Sequence, residues 1–191
     1  MRQSVIKRAM DGVSSGVALL VLLPVLGLIA GLIRLESQGS PLFFQKRVGQ
    51  GCKPFYIVKF RSMVKDADKI GQAWTQKGDA RITRIGGLIR RTSLDELPQL
   101  WNVMTGDMSL VGPRPIMASD EPLYTKEQWL ERHSMRPGLT GLAQVNGRSS
   151  LSFEQQTAYD IDYVKNWSLI GDMSILFKTI QVVIFDRENA N

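Results

Sequence analysis

Two residue types that anchor many reactions are almost missing from this chain. It has one cysteine, Cys52, and one histidine, His133. No internal disulfide can form, which suits a reducing compartment. A zinc site of the Cys/His type lacks ligands. A Ser-His-Asp triad would have to use His133, and no Gly-x-Ser-x-Gly elbow is present. There is no Gly-x-x-x-x-Gly-Lys-Ser/Thr loop, which argues against a P-loop nucleotide site. Internal repeats and low-complexity tracts are absent as well.

The 191 residues make one domain the default, with room for an appendage. The formal net charge is +6 and the pI about 9.6. That balance favours anionic partners: nucleic acid, an acidic membrane surface or phosphorylated small molecules.

Charge is missing altogether from Val13 to Ile33. The run is long enough to cross a bilayer as a helix. A signal peptide is a poor fit, because the apolar core is long and no small-x-small cleavage site precedes a polar start. A plain spanning helix has two features against it. Pro24 sits near the centre, where it removes a backbone bond and kinks a helix. Basic residues flank both ends: Arg2, Lys7 and Arg8 before, Arg34, Lys46, Arg47 and Lys53 after. A span would put one group outside, against the positive-inside tendency. A helix that enters, bends at Pro24 and returns keeps both inside. Residues 1–36 are therefore expected to form a re-entrant membrane helix-hairpin, and residues 37–191 a cytosolic catalytic domain.

Within that domain, two aromatic and β-branched runs at 41–49 and 53–61 flank a Gly-bearing turn and predict a hairpin. Lys59 and Arg61 share one face of it. A short helix is expected over Ser62–Lys69. Asp66-Ala67-Asp68 and Asp160-Ile161-Asp162 read as solvated helix faces, since on a helix the two carboxylates of such a triplet point apart. Helical spacing of apolar residues predicts helices over Ile82–Arg91, Leu151–Trp167 and Ile170–Phe185. The last is either a core helix or one lying in the membrane interface. The expected class is α+β, mainly helical: a helix-break-helix at the N-terminus, then a small domain with a β-hairpin and interfacial amphipathic helices.

The densest chemistry is at Ser93-Leu94-Asp95-Glu96-Leu97-Pro98, behind Arg81, Arg84, Arg90 and Arg91. Arginine grips phosphate bidentately. A carboxylate can attack phosphorus or hold a divalent metal. A structural account competes with this one: Ser93-x-x-Glu96 matches a capping box. If Asp95 were the cap instead, Pro98 would fall in the first turn, where no donor is needed. Asp95 would then sit at a helix mouth that also suits phosphate. The helix is expected to run to Met104, with Gly106 as its stop. Pro113-Arg114-Pro115 pre-sets the direction of one guanidinium. Arg136 to Arg148 is a second arginine-bounded, glycine-rich stretch.

Four segments in this order resemble the monotopic polyprenyl-phosphate phosphoglycosyl transferases, the bacterial sugar transferase family. They are Lys59-Phe60-Arg61-Ser62-Met63, Ile89 to Leu100, Gly106-Asp107-Met108-Ser109-Leu110-Val111-Gly112-Pro113-Arg114-Pro115, and Arg136-Pro137-Gly138-Leu139-Thr140-Gly141. The resemblance covers nearly the whole chain, from Lys7-Arg8 to about Asp186. It implies transfer of a sugar-1-phosphate from a UDP-sugar to undecaprenyl phosphate, with release of UMP. This would be the first membrane step of polysaccharide or glycoprotein-glycan assembly, at the cytoplasmic face of the bacterial inner membrane. It implies Asp95 as nucleophile in a ping-pong sequence and Glu96 as ligand to Mg²⁺. Lys59, Arg90 and Arg148 would neutralise phosphate, Arg114 would contact the nucleotide, and Arg136 belongs to the same substrate-binding set. A helix broken at proline is also a family feature; Leu23 stands before Pro24 where relatives are expected to carry serine.

Two other readings compete. One is a metal-dependent glycosyltransferase using Asp66 and Asp68, which would release UDP. The other is a non-enzymatic, membrane-anchored basic adaptor. Nucleic acid is not an expected partner, because the arginines are interleaved with core-type residues. No motif distinguishes the UDP-sugar, the oligomeric state or the polyprenol length.

Overall fold

The computed structural model describes residues 4–67, 79–147 and 150–185. It opens with α1, Val5–Glu36, capped by the Ser4 hydroxyl. β1 (Leu42–Val48) and β2 (Pro54–Phe60) follow. They form the expected antiparallel hairpin, with Phe43 opposite Lys59 and Gln45 opposite Ile57. α2 is Arg84–Arg91, with the Thr83 hydroxyl accepting from Gly86 N. A 3-10 turn, Leu94–Gln99, leads into α3, Leu100–Thr105. β3 (Ser109–Val111) pairs in parallel with β4 (Gly138–Thr140). α4 (Lys126–Arg132) lies between them in sequence, and α5 (Leu142–Val145), α6 (Phe153–Lys165) and α7 (Leu169–Phe185) complete the chain. The class is α+β and mainly helical.

The expected break at Pro24 is not a break in the helix. α1 is one element of 32 residues with Pro24 inside it. A proline removes one N–H from the ladder, and the remaining bonds carry the helix through it. The middle of α1 is bare: Leu20, Val21 and Leu23 are 73%, 70% and 62% exposed. It is the one helix among the described residues long and apolar enough to cross a membrane.

Both ends of α1 nevertheless dock on the same domain. At the start, Lys7 Nζ lies 2.6 Å from Asp172 on α7. Arg8 donates to the carbonyls of Val103 and Met104 at the end of α3, the first of which also accepts from Gly106 N. Asp11 accepts from the Ser109 hydroxyl at 2.7 Å. At the other end, Ile29 and Ile33 pack with Phe60 and Ile89. Such side chains contribute about 1.5–3 kcal/mol each on full burial. The Glu36 carboxylate accepts from the backbone N–H groups of Arg84 and Ile85, so it caps α2.

Two local expectations need correction. Over Ser62–Asp66 the described residues hold a bridge from Met63 to Ile82 and a turn at 65–66 in place of the expected helix, and of the expected span only Ala67 is helical among the described residues. That bridge takes the backbone bonds a helix would have used; Asp68 lies outside the described residues. Ser93 makes no side-chain cap, and its φ of 55° turns the chain sharply before the 3-10 segment. The Ser-x-x-Glu pattern is therefore not used as a capping box, and Asp95 lies within the turn rather than at its cap. Gly106 does end α3, at φ 97°, where a Cβ would be strained.

The short parallel pair depends on glycine in a different way. A Cβ on Gly138 would fall 2.1 Å from Gly112 N, and one on Gly112 would fall 2.5 Å from Arg136 O. Only bare backbones allow this approach. It draws the Pro113-Arg114-Pro115 segment against the start of β4, where Gly138 N donates to Pro113 O.

Candidate active site

The 3-10 turn puts Asp95 and Glu96 on one wall of a cavity of about 760 Å³. Lys59 from β2, Arg90 from the last turn of α2 and Arg114 line the same cavity. Lys59 gets there because it alternates with buried Phe60 and so points to the other face of the hairpin. Arg90 follows buried Ile89, so docking of that residue fixes where its neighbour points.

The charges are unevenly shared. Lys59 Nζ and Arg114 Nη2 both donate to Glu96 Oε1, each at 2.9 Å. Burial alone would raise the Glu96 pKa, but Arg114 and Lys59 outweigh it and hold the carboxyl at about 2. Asp95 behaves oppositely. Burial and then the adjacent Glu96 charge push it up to about 6, against the pull of Lys59, Arg90 and Arg114. Two neighbouring carboxyls thus have separated proton affinities, a pattern of functional sites. Glu96 is anionic throughout the neutral range. Asp95 is poised to lose its proton just below neutrality, and it keeps more basicity than an ordinary aspartate.

Glu96 and Asp95 are hard oxygen donors, the type Mg²⁺ prefers. No group of three or more metal-binding side chains occurs among the described residues. The pair therefore fits a divalent ion only as a partial shell, to be completed by water and phosphate, which is a common arrangement for Mg²⁺.

Behind the carboxylates lies a second charged layer that the sequence reading overlooked. Arg132 on α4 and Asp160 on α6 form an ion pair of 2.7 Å, with both side chains almost wholly buried. Both line the cavity. Arg132 also donates to the backbone carbonyl of Arg114 and stands 5.8 Å from the Tyr124 ring centre. Asp160 is thus not on a solvated face. It sits on the same stripe of α6 as buried Thr157 and Val164, and a carboxylate on an inward stripe is the signal that could have found it. Burial pushes its pKa up, against the pull of Arg132.

Other anticipated residues fall elsewhere. Arg136 donates from Nε to Gly106 O, beside Arg8, and closes the end of α3 rather than lining the cavity. Arg148 lies outside the described residues. Pro24 is in the bare stretch of α1. His133 is buried and neutral: burial pushes its pKa down to about 4, and Nδ1 donates to Trp129 O.

The whole arrangement can bind a phosphorylated anion, hold a divalent ion and present a nucleophilic carboxylate. Comparison with known proteins identifies the family. The family described as Bacterial sugar transferase matches residues 2–186. The exopolysaccharide production protein PSS of Rhizobium leguminosarum bv. phaseoli is 48% identical over 92% of this chain and 94% of its own length. The UDP-glucose:undecaprenyl-phosphate glucose-1-phosphate transferase of Caulobacter vibrioides is 44% identical over 91% of this chain and 68% of its own length. The UDP-N-acetylgalactosamine-undecaprenyl-phosphate N-acetylgalactosaminephosphotransferase of Aeromonas hydrophila is 41% identical over 94% of this chain, which spans 44% of that longer protein. With a match of this extent and relatives at this identity, the chain belongs to the bacterial sugar transferase family and is a transferase.

Proposed function

We propose that the chain transfers a sugar-1-phosphate from a UDP-sugar to undecaprenyl phosphate, releasing UMP. The observation that carries this reading is a single cavity lined by Asp95, Glu96, Lys59, Arg90 and Arg114. Relatives named as undecaprenyl-phosphate sugar phosphotransferases support the substrate classes.

In the first step an oxygen of ionised Asp95 attacks the sugar-bearing phosphorus. The bond to the bridging oxygen breaks, and UMP leaves with its electron pair. The enzyme is left with an aspartyl phosphosugar. In the second step an oxygen of undecaprenyl phosphate attacks the same phosphorus, expels the Asp95 carboxylate and forms the diphosphate-linked product. Asp95 suits both steps: its raised pKa makes it a better nucleophile than an ordinary carboxylate, yet it remains a good leaving group. Lys59, Arg90 and Arg114 neutralise phosphate charge that would otherwise repel the incoming carboxylate. A divalent ion held by Glu96 and phosphate oxygens would supply further charge neutralisation.

Membrane attachment belongs to the same proposal. α1 would dip into one leaflet with its bare middle and return, its continuous helix bending at Pro24, at the cytoplasmic face of a bacterial inner membrane. Supporting this, both ends of α1 bind one domain, at Asp172 and at the start of α2. A straight span would carry one end about 30 Å away through the hydrocarbon core.

The test is an assay of UMP release from a broad panel of UDP-sugars, with and without undecaprenyl phosphate. A burst of UMP stoichiometric with enzyme, without acceptor, is expected, together with a phosphosugar adduct on Asp95 detectable by mass spectrometry. Release of UDP in place of UMP would overturn the reading in favour of simple glycosyl transfer.

A further inference from the structure

Behind the charged wall lies a second, much smaller cavity of about 20 Å³, lined by Arg47, Ile57, Lys59, Glu96, Gln99 and Arg114 among others. It shares Lys59, Glu96 and Arg114 with the main cavity. Two of its polar side chains have no task in the site described above. Gln99 is 2% exposed, yet its Nε2 has no hydrogen-bond partner among the described residues. Its side chain does not cap α3 either. Arg47 donates from Nη2 to Gln45 Oε1 at 2.7 Å, while its buried Nε is likewise without a partner among the described residues. Buried donors are nearly always satisfied, so two of them at one cavity call for an acceptor.

Local geometry brings these groups together. Glu96 and Gln99 are three positions apart on the 3-10 turn, where side chains at that spacing eclipse one another. Arg47 comes from β1, on the hairpin face that also carries Gln45, Ile57 and Lys59. The cavity then selects its occupant by size and charge. Such a volume holds about one water. A water has two lone pairs for the two orphan donors and two protons left to donate. Glu96 is the carboxylate on the cavity wall, and its Oε1 already takes Lys59 and Arg114. A cation would meet Arg47, Lys59 and Arg114. A halide would satisfy the donors but would face the Glu96 charge with no proton to offer it.

We propose that Gln99 Nε2 and Arg47 Nε hold one buried water that donates to the Glu96 carboxylate, and that Gln99 and Arg47 are thereby positioning residues for Glu96. The water braces Glu96 from behind. Its direction is then set by a packed turn and a paired strand as well as by Arg114, whose side chain is 51% exposed. The positioning role rests on the sugar-phosphate transfer reading above; the water site does not.

The first test is a high-resolution crystal structure of the full chain in detergent, from crystals soaked in bromide. One ordered water within hydrogen-bonding distance of Gln99 Nε2, Arg47 Nε and a Glu96 oxygen is expected, without anomalous bromide signal. A bromide peak there, or a cavity without density, would overturn the proposal. The second test follows the UMP burst from a UDP-sugar that the native chain turns over. Gln99→Met keeps the side-chain volume and removes the donor. It should slow the burst about tenfold, the scale of a hydrogen bond to a charged group, at unchanged amplitude. Arg47→Lys keeps the charge, removes Nε and should slow the burst similarly. Because both act through one water, the double variant should be slower than either single variant by no more than about twofold. A loss of about a hundredfold, the product of two independent effects, would sink the shared water. An unchanged rate for Gln99→Met, or a lower amplitude at the native rate, would remove the positioning role. No burst from the native chain on any UDP-sugar would remove the transfer reading and the positioning role together, while the water itself is decided by the crystal structure.

Discussion

Lys7 and Asp172 stand 165 positions apart in sequence and 2.6 Å apart in space, with both side chains nearly sealed from solvent. The same carboxylate accepts from the Trp167 indole on its Oδ2 and from the Tyr163 hydroxyl on its Oδ1. One ammonium thus joins the first turns of α1 and α7, and it also lies 3.8 Å from the buried Asp11 carboxylate one turn along α1. The consequence is geometric. The start of the apolar helix cannot leave the domain without stranding a buried carboxylate.

Breaking that pair should be costly. Lys7→Met is expected to destabilise the protein by about 3–5 kcal/mol, because it leaves Asp172 charged and buried without its cation. The double variant Lys7→Met, Asp172→Leu should recover much of the loss, since an apolar replacement of a buried pair is often tolerated. Thermal unfolding of the three proteins in the same detergent checks this. Equal loss in single and double variants would mean that the pair matters only through packing.

The Arg132–Asp160 pair should act on catalysis through position. Arg132 touches the backbone of Arg114, and its partner fixes its direction. Asp160→Asn should keep a hydrogen bond but weaken the hold, lowering turnover with a larger KM for the UDP-sugar, while Asp160→Leu should also unfold at lower temperature. Equal kinetic constants for Asp160→Asn and the native chain would remove the positioning role. The KM-against-kcat split is the informative readout, because a purely structural role would lower the active fraction and leave KM unchanged.

What the sequence made legible follows the range of the interactions. The hairpin could be read because its pattern is local: two aromatic runs around glycine. α7 was legible from its apolar spacing, and the stop at Gly106 from a residue that tolerates positive φ. Asp95, Glu96, Lys59, Arg90 and Arg114 were found by motif resemblance, and the cavity holds all five. The misses are tertiary. Ser93 has the residue type for a cap, but a left-handed backbone takes its hydroxyl away from the turn. Asp160 looked solvated because its partner lies 28 positions earlier on another helix. Arg136 shared a motif with the site residues, yet it serves the carbonyl end of α3. The parallel pair of β3 and β4 is three residues per strand, too short for periodicity to register.

That parallel pair yields a sharp prediction. Gly138→Ala would force a methyl group to 2.1 Å from Gly112 N and 2.3 Å from Thr140 O, both of them backbone atoms. No rotamer can relieve the clash, so the strands must separate and Arg114 must shift with them. Loss of turnover together with a lowered unfolding temperature is expected. Gly87→Ala is the matched control, since its Cβ would meet only the Ile82 methyl at 3.9 Å. Comparable stability of the two variants would show that β3 and β4 can part without consequence.

The pH dependence of the first half-reaction should report Asp95. With UDP-sugar and no acceptor, the second-order rate constant of the single-turnover UMP burst reflects groups of the free enzyme, and the acceptor's own phosphate titration does not enter. The rate should rise with pH through about 6, where Asp95 ionises, and level off above it. Arg90→Gln should move that limb to higher pH, because Arg90 is one of the charges that pulls the Asp95 pKa down. A limb that stays in place, or moves to lower pH, would assign it to another group. Stability has the reverse sign for the two carboxyls. Asp95 is raised above its ordinary 3.8, so folding disfavours its charged form and stability falls as pH climbs from about 4 to about 6. Glu96 is held at about 2, below its ordinary 4.5, so its contribution is present above 4.5 and is lost as pH falls toward 2. Asp95→Asn removes the first trend and leaves the second. Denaturation midpoints for that variant should therefore no longer decline between pH 4 and 6 relative to the native chain, while the acid-side loss persists.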